Sequence, residues 1–239
     1  MAQVLCYKMT QINTSIYFQF WIFFCLLFYK YFLFCFSEHP MDVVFTFGAC
    51  GPNADEVFEK EKDMVSGFLE TIIDSDTHYG VIEYGENKAN IKAKLGDFRN
   101  KERFNQYINT IPRSGEGRAI DKALEKAREL LLDNGRKNAR KALVIFANGK
   151  SSARLAELTN EANLLHDAGV KIIAVGIGDD VDDEELNSIA TNKDKVILAQ
   201  PYDEAAPLGH LLAHEVCEGK KNTVASNAAL IFYLLVLLQ

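Results

Sequence analysis

A surplus of positive charge is missing from this chain: 26 Lys and Arg stand against 33 Asp and Glu in 239 residues, a net charge of -7. No Lys/Arg stripe interleaved with aromatic residues compensates for it. Nucleic acid is therefore not expected as a partner, because phosphate binding draws on a basic surface. Cysteine is scarce beyond the first segment: of five, only Cys50 and Cys217 lie outside the first 35 residues. The Gly-x-Gly-x-x-Gly turn is absent, and Pro52 intrudes on the glycine-bearing stretch Gly48 to Pro52, which argues against a dinucleotide-dependent enzyme. The acidic cluster Asp179, Asp180, Asp182, Asp183, Glu184 and Glu185 lacks the Asp-x-Asp-x-Asp-Gly spacing of a calcium loop and reads as carboxylates at a helix N-terminus. His210 and His214 stand four apart and could share a zinc ion, but no third ligand is placed by sequence, so they read as surface or core histidines. Cys50 is expected on an exposed loop near a helix start, where a thiol can be activated. No histidine neighbour follows from the sequence, and a structural or free thiol is the simpler reading.

What is present is unevenly distributed. Residues 16–36 (IYFQFWIFFCLLFYKYFLFCF) are apolar except for Gln19 and Lys30, long enough to cross a bilayer as a helix. Lys8 and the free amine precede this run while Glu38 and Asp42 follow it, so the positive-inside bias sends the remainder across the membrane. Residues 1–37 are expected to be a cleaved signal peptide or a retained signal anchor. At the other end, residues 219–239 run from polar through small to the apolar stretch LIFYLLVLL, the order of a glycosylphosphatidylinositol attachment signal. A short terminal helix packed on the domain is the alternative. The expected location is the extracellular face of the cell membrane, or secretion. An oxidising compartment permits a disulfide, but Cys50 and Cys217 are predicted at opposite ends of the domain and not paired to each other.

Between these ends the apolar period switches repeatedly. DVVFTF at 42–47 is a nearly continuous apolar run, as expected of a strand covered on both faces. A helix follows, capped by Asn53 or Asp55, with Val57, Phe58, Met64, Val65, Phe68, Leu69 and Ile72 at helical spacing. YGVIEY and ANIKAKL flank Gly85, Glu86 and Asn87, a hairpin signal. Helices at 104–111, 120–132, 154–168, 183–190 and 204–216 then enclose strands at 142–147, 171–175 and 195–199. Strands separated by helices imply right-handed crossovers. The expected fold is an α/β doubly wound, mostly parallel six-stranded sheet with one antiparallel edge strand and helices on both faces. Ligands of such folds bind at the carboxyl ends of the strands, which directs attention to the loops 48–53, 113–121, 148–152 and 177–183.

Several stretches together resemble a von Willebrand factor type A domain: DVVFTF, YGVIEYGENKANIKAKLGDF, RAIDKALEKA, KALVIFANGKS and KIIAVGIGDDVDDEELNSIA. The resemblance spans residues 41–218. It implies a divalent cation held by an Asp-x-Ser-x-Ser loop after the first strand, a Thr before the third helix and an Asp after the fourth strand. Hard cations want such oxygen ligands. Here Gly48, Cys50 and Pro52 fall on the three loop positions, Arg118 on the Thr and Asn148 on the Asp. No cofactor and no metal are therefore expected. The implied function is a non-catalytic adhesion or matrix-interaction module that binds an extracellular or matrix protein through Gly48, Cys50, Pro52, Arg118 and Asn148, tethered to the membrane by its N-terminal segment, a lipid anchor, or both. Arg118, beside Asn148 and the open amides of Gly48 to Gly51, could receive an acidic partner group, or could be a solvated loop residue. The alternatives are a metal-dependent adhesion receptor with atypical ligands or a membrane-associated enzyme.

Overall fold

The computed structural model describes residues 40–72, 76–98, 100–113, 115, 117–199 and 205–217. The expected leader at 1–37 and tail at 219–239, with Cys6, Cys25 and Cys35, lie outside the described residues.

β1 (Met41–Phe47) is buried along its whole length, as its unbroken apolar run requires. It is followed by α1 (Ala54–Thr71), β2 (Thr77–Tyr84) and β3 (Ala89–Ala93). Next come α2 (Lys101–Ile108), α3 (Ile120–Arg128), β4 (Arg140–Ala147), α4 (Leu155–Asp167) and β5 (Lys171–Ile177). The described chain closes with α5 (Asp183–Ile189), β6 (Val196–Ala199) and α6 (Ala205–Cys217). The sheet order is β3-β2-β1-β4-β5-β6. Only the β2–β3 pair is antiparallel, with the other strand pairs parallel. The first strand sits inside the sheet, and the doubly wound arrangement with one antiparallel edge is the one observed.

Alternation along each strand divides the core into two halves. Val43, Phe45 and Phe47 of β1 face α1, α2 and α6, where Phe45 meets Phe68 edge-on at 5.2 Å and Phe47 stacks on Phe146 at 5.8 Å. Val44 faces the opposite half, built with Ile120, Ala123, Leu124 and Ala127 of α3 and Leu158, Ala162 and Leu165 of α4. Truncating a fully buried ring such as Phe45 to Ala is worth about 3–5 kcal/mol.

Element boundaries differ from the sequence reading in identifiable ways. The helix expected over 120–132 is α-helical only to Arg128 and continues as a π-helical turn, Glu129–Asp133, which keeps Leu130 and Leu131 on the core. Leu130 is accommodated by Gly80 of β2, where a β-carbon would lie 2.8 Å from its Cδ2. Asn53 does occupy the position before α1, but neither it nor Asp55 caps by side chain: Asn53 makes no capping hydrogen bond and Asp55 pairs with Arg113 at 2.6 Å. Gly169, at φ 78°, ends α4 in the left-handed region as its chemistry allows. Cys50 is a buried thiol outside any disulfide while Cys217 is disulfide-bonded, so the two are not paired with each other.

The amino ends of the strands form the lower face. There Asp42, fully buried, accepts from the backbone N–H of Arg136 at 2.7 Å and from its guanidinium at 2.9 Å. The same guanidinium reaches the Asp76 carboxylate at 2.6 Å and the Met41 carbonyl at 2.7 Å. Arg140 and Lys171 donate to carbonyls at the end of α6, complementing the negative end of that helix.

Candidate functional site

The carboxyl ends of β1, β2 and β4 meet at the upper face. β1 ends in Phe47 and delivers Gly48; β4 ends in Ala147 and delivers Asn148; the loop before α3 supplies Gly117 and Arg118. The structure thus brings Gly48, Cys50, Pro52, Arg118 and Asn148 into adjoining loops.

Direct contacts bind these loops together. Asn148 donates from its amide Nδ2 to the Cys50 carbonyl and accepts the Cys50 N–H at Oδ1, both at 2.8 Å. This two-way clip joins positions 98 residues apart. Gly117 donates its N–H to the Ala49 carbonyl at 3.0 Å, an approach so close that a β-carbon at 117 would lie 2.3 Å from the Gly48 carbonyl carbon. The Cys50 sulfur lies against Gly149, where an added β-carbon would be 2.9 Å away.

Beneath Gly48 lies the ring of Tyr84, the last residue of β2, its hydroxyl donating to the Phe146 carbonyl. A β-carbon at position 48 would fall 2.5 Å from Tyr84 Cζ, so any side chain there requires the ring to leave. From α1, Glu61 approaches the same place. It is fully buried, and its Oε2 accepts the Gly48 N–H at 3.2 Å. Its Oε1 has no hydrogen-bond partner among the described residues. Burial pushes the Glu61 carboxyl well above the usual carboxylate range, with the Gly48 amide opposing only in part. Burial likewise raises the Tyr84 phenol, reinforced by Glu61 and Cys50 nearby.

Two expectations require correction. The amides of Gly48 to Gly51 are not open to a ligand as a set: Gly48 gives its N–H to Glu61 and Cys50 gives its own to Asn148. Backbone donors that cannot reach water must find a partner, and here the neighbouring elements supply one. Nor is Cys50 exposed on its loop, because the Asn148 clip folds it inward to 6% exposure while Gly51 and Pro52 stay at the surface.

Arg118 is exposed, and its main chain is firmly held. Its N–H donates to the Gly85 carbonyl, and its own carbonyl receives Ser152 N–H at 2.9 Å, Ser151 Oγ at 3.0 Å and Ser152 Oγ at 3.2 Å. The cations around it are already engaged with carboxylates: Arg113 with Asp55, Lys122 with Asp121 and Glu125, Lys150 with Asp182 and Arg154 with Glu157.

The other candidates serve the fold. Asp182 caps α5, accepting from Glu184 and Glu185 N–H at 3.1 Å, and the Lys150 ammonium holds its carboxyl below the usual range. Glu185 turns inward and accepts the Ser151 N–H at 2.8 Å. His210 and His214 both lie on α6, and the described residues contain no group of three or more His, Cys, Asp or Glu placed to hold a metal ion. Glu61 and Tyr84 were missed as site residues. The signal for Glu61 was present: it stands on the apolar stripe of α1, four after Val57 and three before Met64.

An open, doubly wound sheet with a central first strand, and loops gathered above its carboxyl ends, defines a class of α/β domain in which ligands are generally bound at that edge. The chain belongs to the von Willebrand factor type A domain family, whose profile matches residues 42–208. Among its relatives, cuticlin-6 of Caenorhabditis elegans is 22% identical over 172 residues, 71% of this chain and 29% of that protein. The collagen alpha-4(VI) chain of Mus musculus is 24% identical over 202 residues, 84% of this chain and 8% of that one. This chain thus spans less than a third of the length of these relatives. A solved structure of proximal thread matrix protein 1 from the mussel byssus superposes with a TM-score of 0.66 at 21% identity, covering 77% of this chain and 47% of that one. Another structure of that mussel protein has a zinc-occupied MIDAS motif.

Proposed function

We propose that this chain is a non-catalytic protein-binding module for extracellular or matrix protein ligands, and that its upper face engages them without a metal ion. The observation that carries this reading is the filled cradle. The position of the family's first aspartate is Gly48, and the space such a side chain needs holds the Tyr84 ring. Cys50 and Pro52 offer no hydroxyl for the loop's two serines, and Asn148 spends its amide bridging to Cys50 rather than facing outward. The residues present do not fit the family's cation. A divalent ion requires oxygen donors that repay its dehydration, whereas here neutral hydrogen bonds join the same loops.

Binding then depends on shape, hydrogen bonds and direct ion pairs around Gly48, Cys50, Pro52, Arg118 and Asn148. Arg118 is the residue best disposed to receive an acidic partner group, since its backbone is fixed and its cationic neighbours are engaged with their own carboxylates. The collagen, cuticlin and matrix-protein relatives support a matrix ligand. Membrane tethering through residues 1–37, a lipid anchor at the 219–239 tail, or both, is part of the same proposal, and phospholipase release of the full chain from intact cells tests the anchor. The test of the binding mode is retention of the full chain on immobilised extracellular-matrix extract. Retention should be unchanged by EDTA and weakened by R118A; loss in EDTA overturns the metal-free reading.

A further inference from the structure

We propose that Glu61 is a proton-operated latch beneath the upper-face loop: as a neutral acid it lets Gly48 to Asn53 sit closed, and when ionised it loosens that loop and admits water to Cys50. The latch concerns the regulation of the binding face proposed above. Its mechanism, however, is read from the chain alone and needs no partner.

The geometry carries the argument. Glu61 has no exposed surface, its Oε2 is held by the Gly48 N–H, and its Oε1 is left without a partner among the described residues. The titratable groups beside it are Tyr84, at the end of β2, whose phenol is raised by Glu61, and Cys50, in the loop itself, which raises the same phenol. Both are neutral acids, and neither offers the positive charge that a buried carboxylate requires. Ionisation would strengthen the bond to the Gly48 amide but leave Oε1 charged in an apolar surround, at a cost that only water or a cation relieves. Water reaches it only if the loop above gives way, and that loop carries Gly51 and Pro52 already at the surface. Burial raising the Glu61 carboxyl agrees with this arrangement.

The sign of the pH effect follows. The folded chain holds this proton more tightly than the unfolded chain does, so the contribution is most favourable below the usual carboxylate range. Stability is lost progressively as pH rises from there through the raised folded value. Glu61→Gln keeps the shape and cannot ionise, so it should flatten that part of the profile.

The experiment reads the loop directly. Alkylation of Cys50 in the full chain, quantified by peptide mass spectrometry, is followed from about pH 6 to about pH 9 in the wild type and in E61Q. The general rise of thiol reactivity with pH divides out of the wild-type-to-E61Q ratio, and any repulsion of the Cys50 thiolate by an ionised Glu61 lowers that ratio and so works against the predicted rise. The ratio should climb several-fold across the range; a ratio independent of pH overturns the proposal. If E61Q fails to fold, Glu61→Met serves the same comparison, since it too removes the ionisable group. Matrix retention of the wild type is measured over the same pH range. A rising alkylation ratio with cation-dependent retention would leave the latch standing and remove the metal-free reading, whereas a flat ratio with EDTA-resistant retention would do the reverse.

Discussion

The two ends of the sheet handle buried charge in opposite ways. At the lower end Asp42 is fully buried but answered by Arg136, which also gathers Asp76 and the Met41 carbonyl. At the upper end Glu61 is equally buried and has for support one backbone amide. The lower end is a completed ionic clamp. Around Gly48 the upper end relies instead on an amide clip, a phenol and the Glu61 carboxyl. A fold that needs its termini and strand starts fixed can use a charge pair that is never released. A face proposed to meet other proteins gains from bonds that can be exchanged for a partner's.

The largest effect should come from breaking the lower clamp. Arg136→Met leaves Asp42 buried without its cation and should cost about 3–5 kcal/mol in urea denaturation of the full chain. A loss no greater than that of the clip below would erase the contrast between the ends. Removing the clip is next: Asn148→Ala deletes both of its bonds to the Cys50 main chain and should cost about 1–3 kcal/mol, with faster Cys50 alkylation as its local sign. Unchanged alkylation would mean that Asn148 does not seal the loop. Asn148→Asp sharpens the point, because a carboxylate can accept the Cys50 N–H but cannot donate to the Cys50 carbonyl; it should fall between Ala and the wild type in alkylation rate. The smallest effect on stability belongs to Arg118→Ala, within about 0.5 kcal/mol, while matrix retention falls. Intact retention would make Arg118 a solvated loop residue.

Much of the scaffold was legible because apolar periodicity is a local property. The continuous run of β1, the hairpin at Gly85 to Asn87 and the helices between strands follow from neighbouring residues alone. The π-helical turn at Glu129–Asp133 was not, since Leu130 and Leu131 fit an α-helical stripe just as well. The upper face was legible as a set of residue types gathered in adjoining loops but not as a structure. The Asn148 clip and the Gly117 contact join residues distant in sequence, and no spacing rule reports such bonds. Amides expected to be open were therefore found engaged. Glu61 was legible in principle: a lone acid on an apolar stripe has to be either buried at a cost or turned away, and only tertiary packing decides which.

Thermal unfolding of the full chain in EDTA and in rising Mg²⁺ or Mn²⁺ tests the metal-free upper face most directly, because an ion that binds only the folded state raises the melting temperature. Superimposable curves are the predicted result. A melting temperature that climbs with cation concentration and returns with EDTA would contradict it.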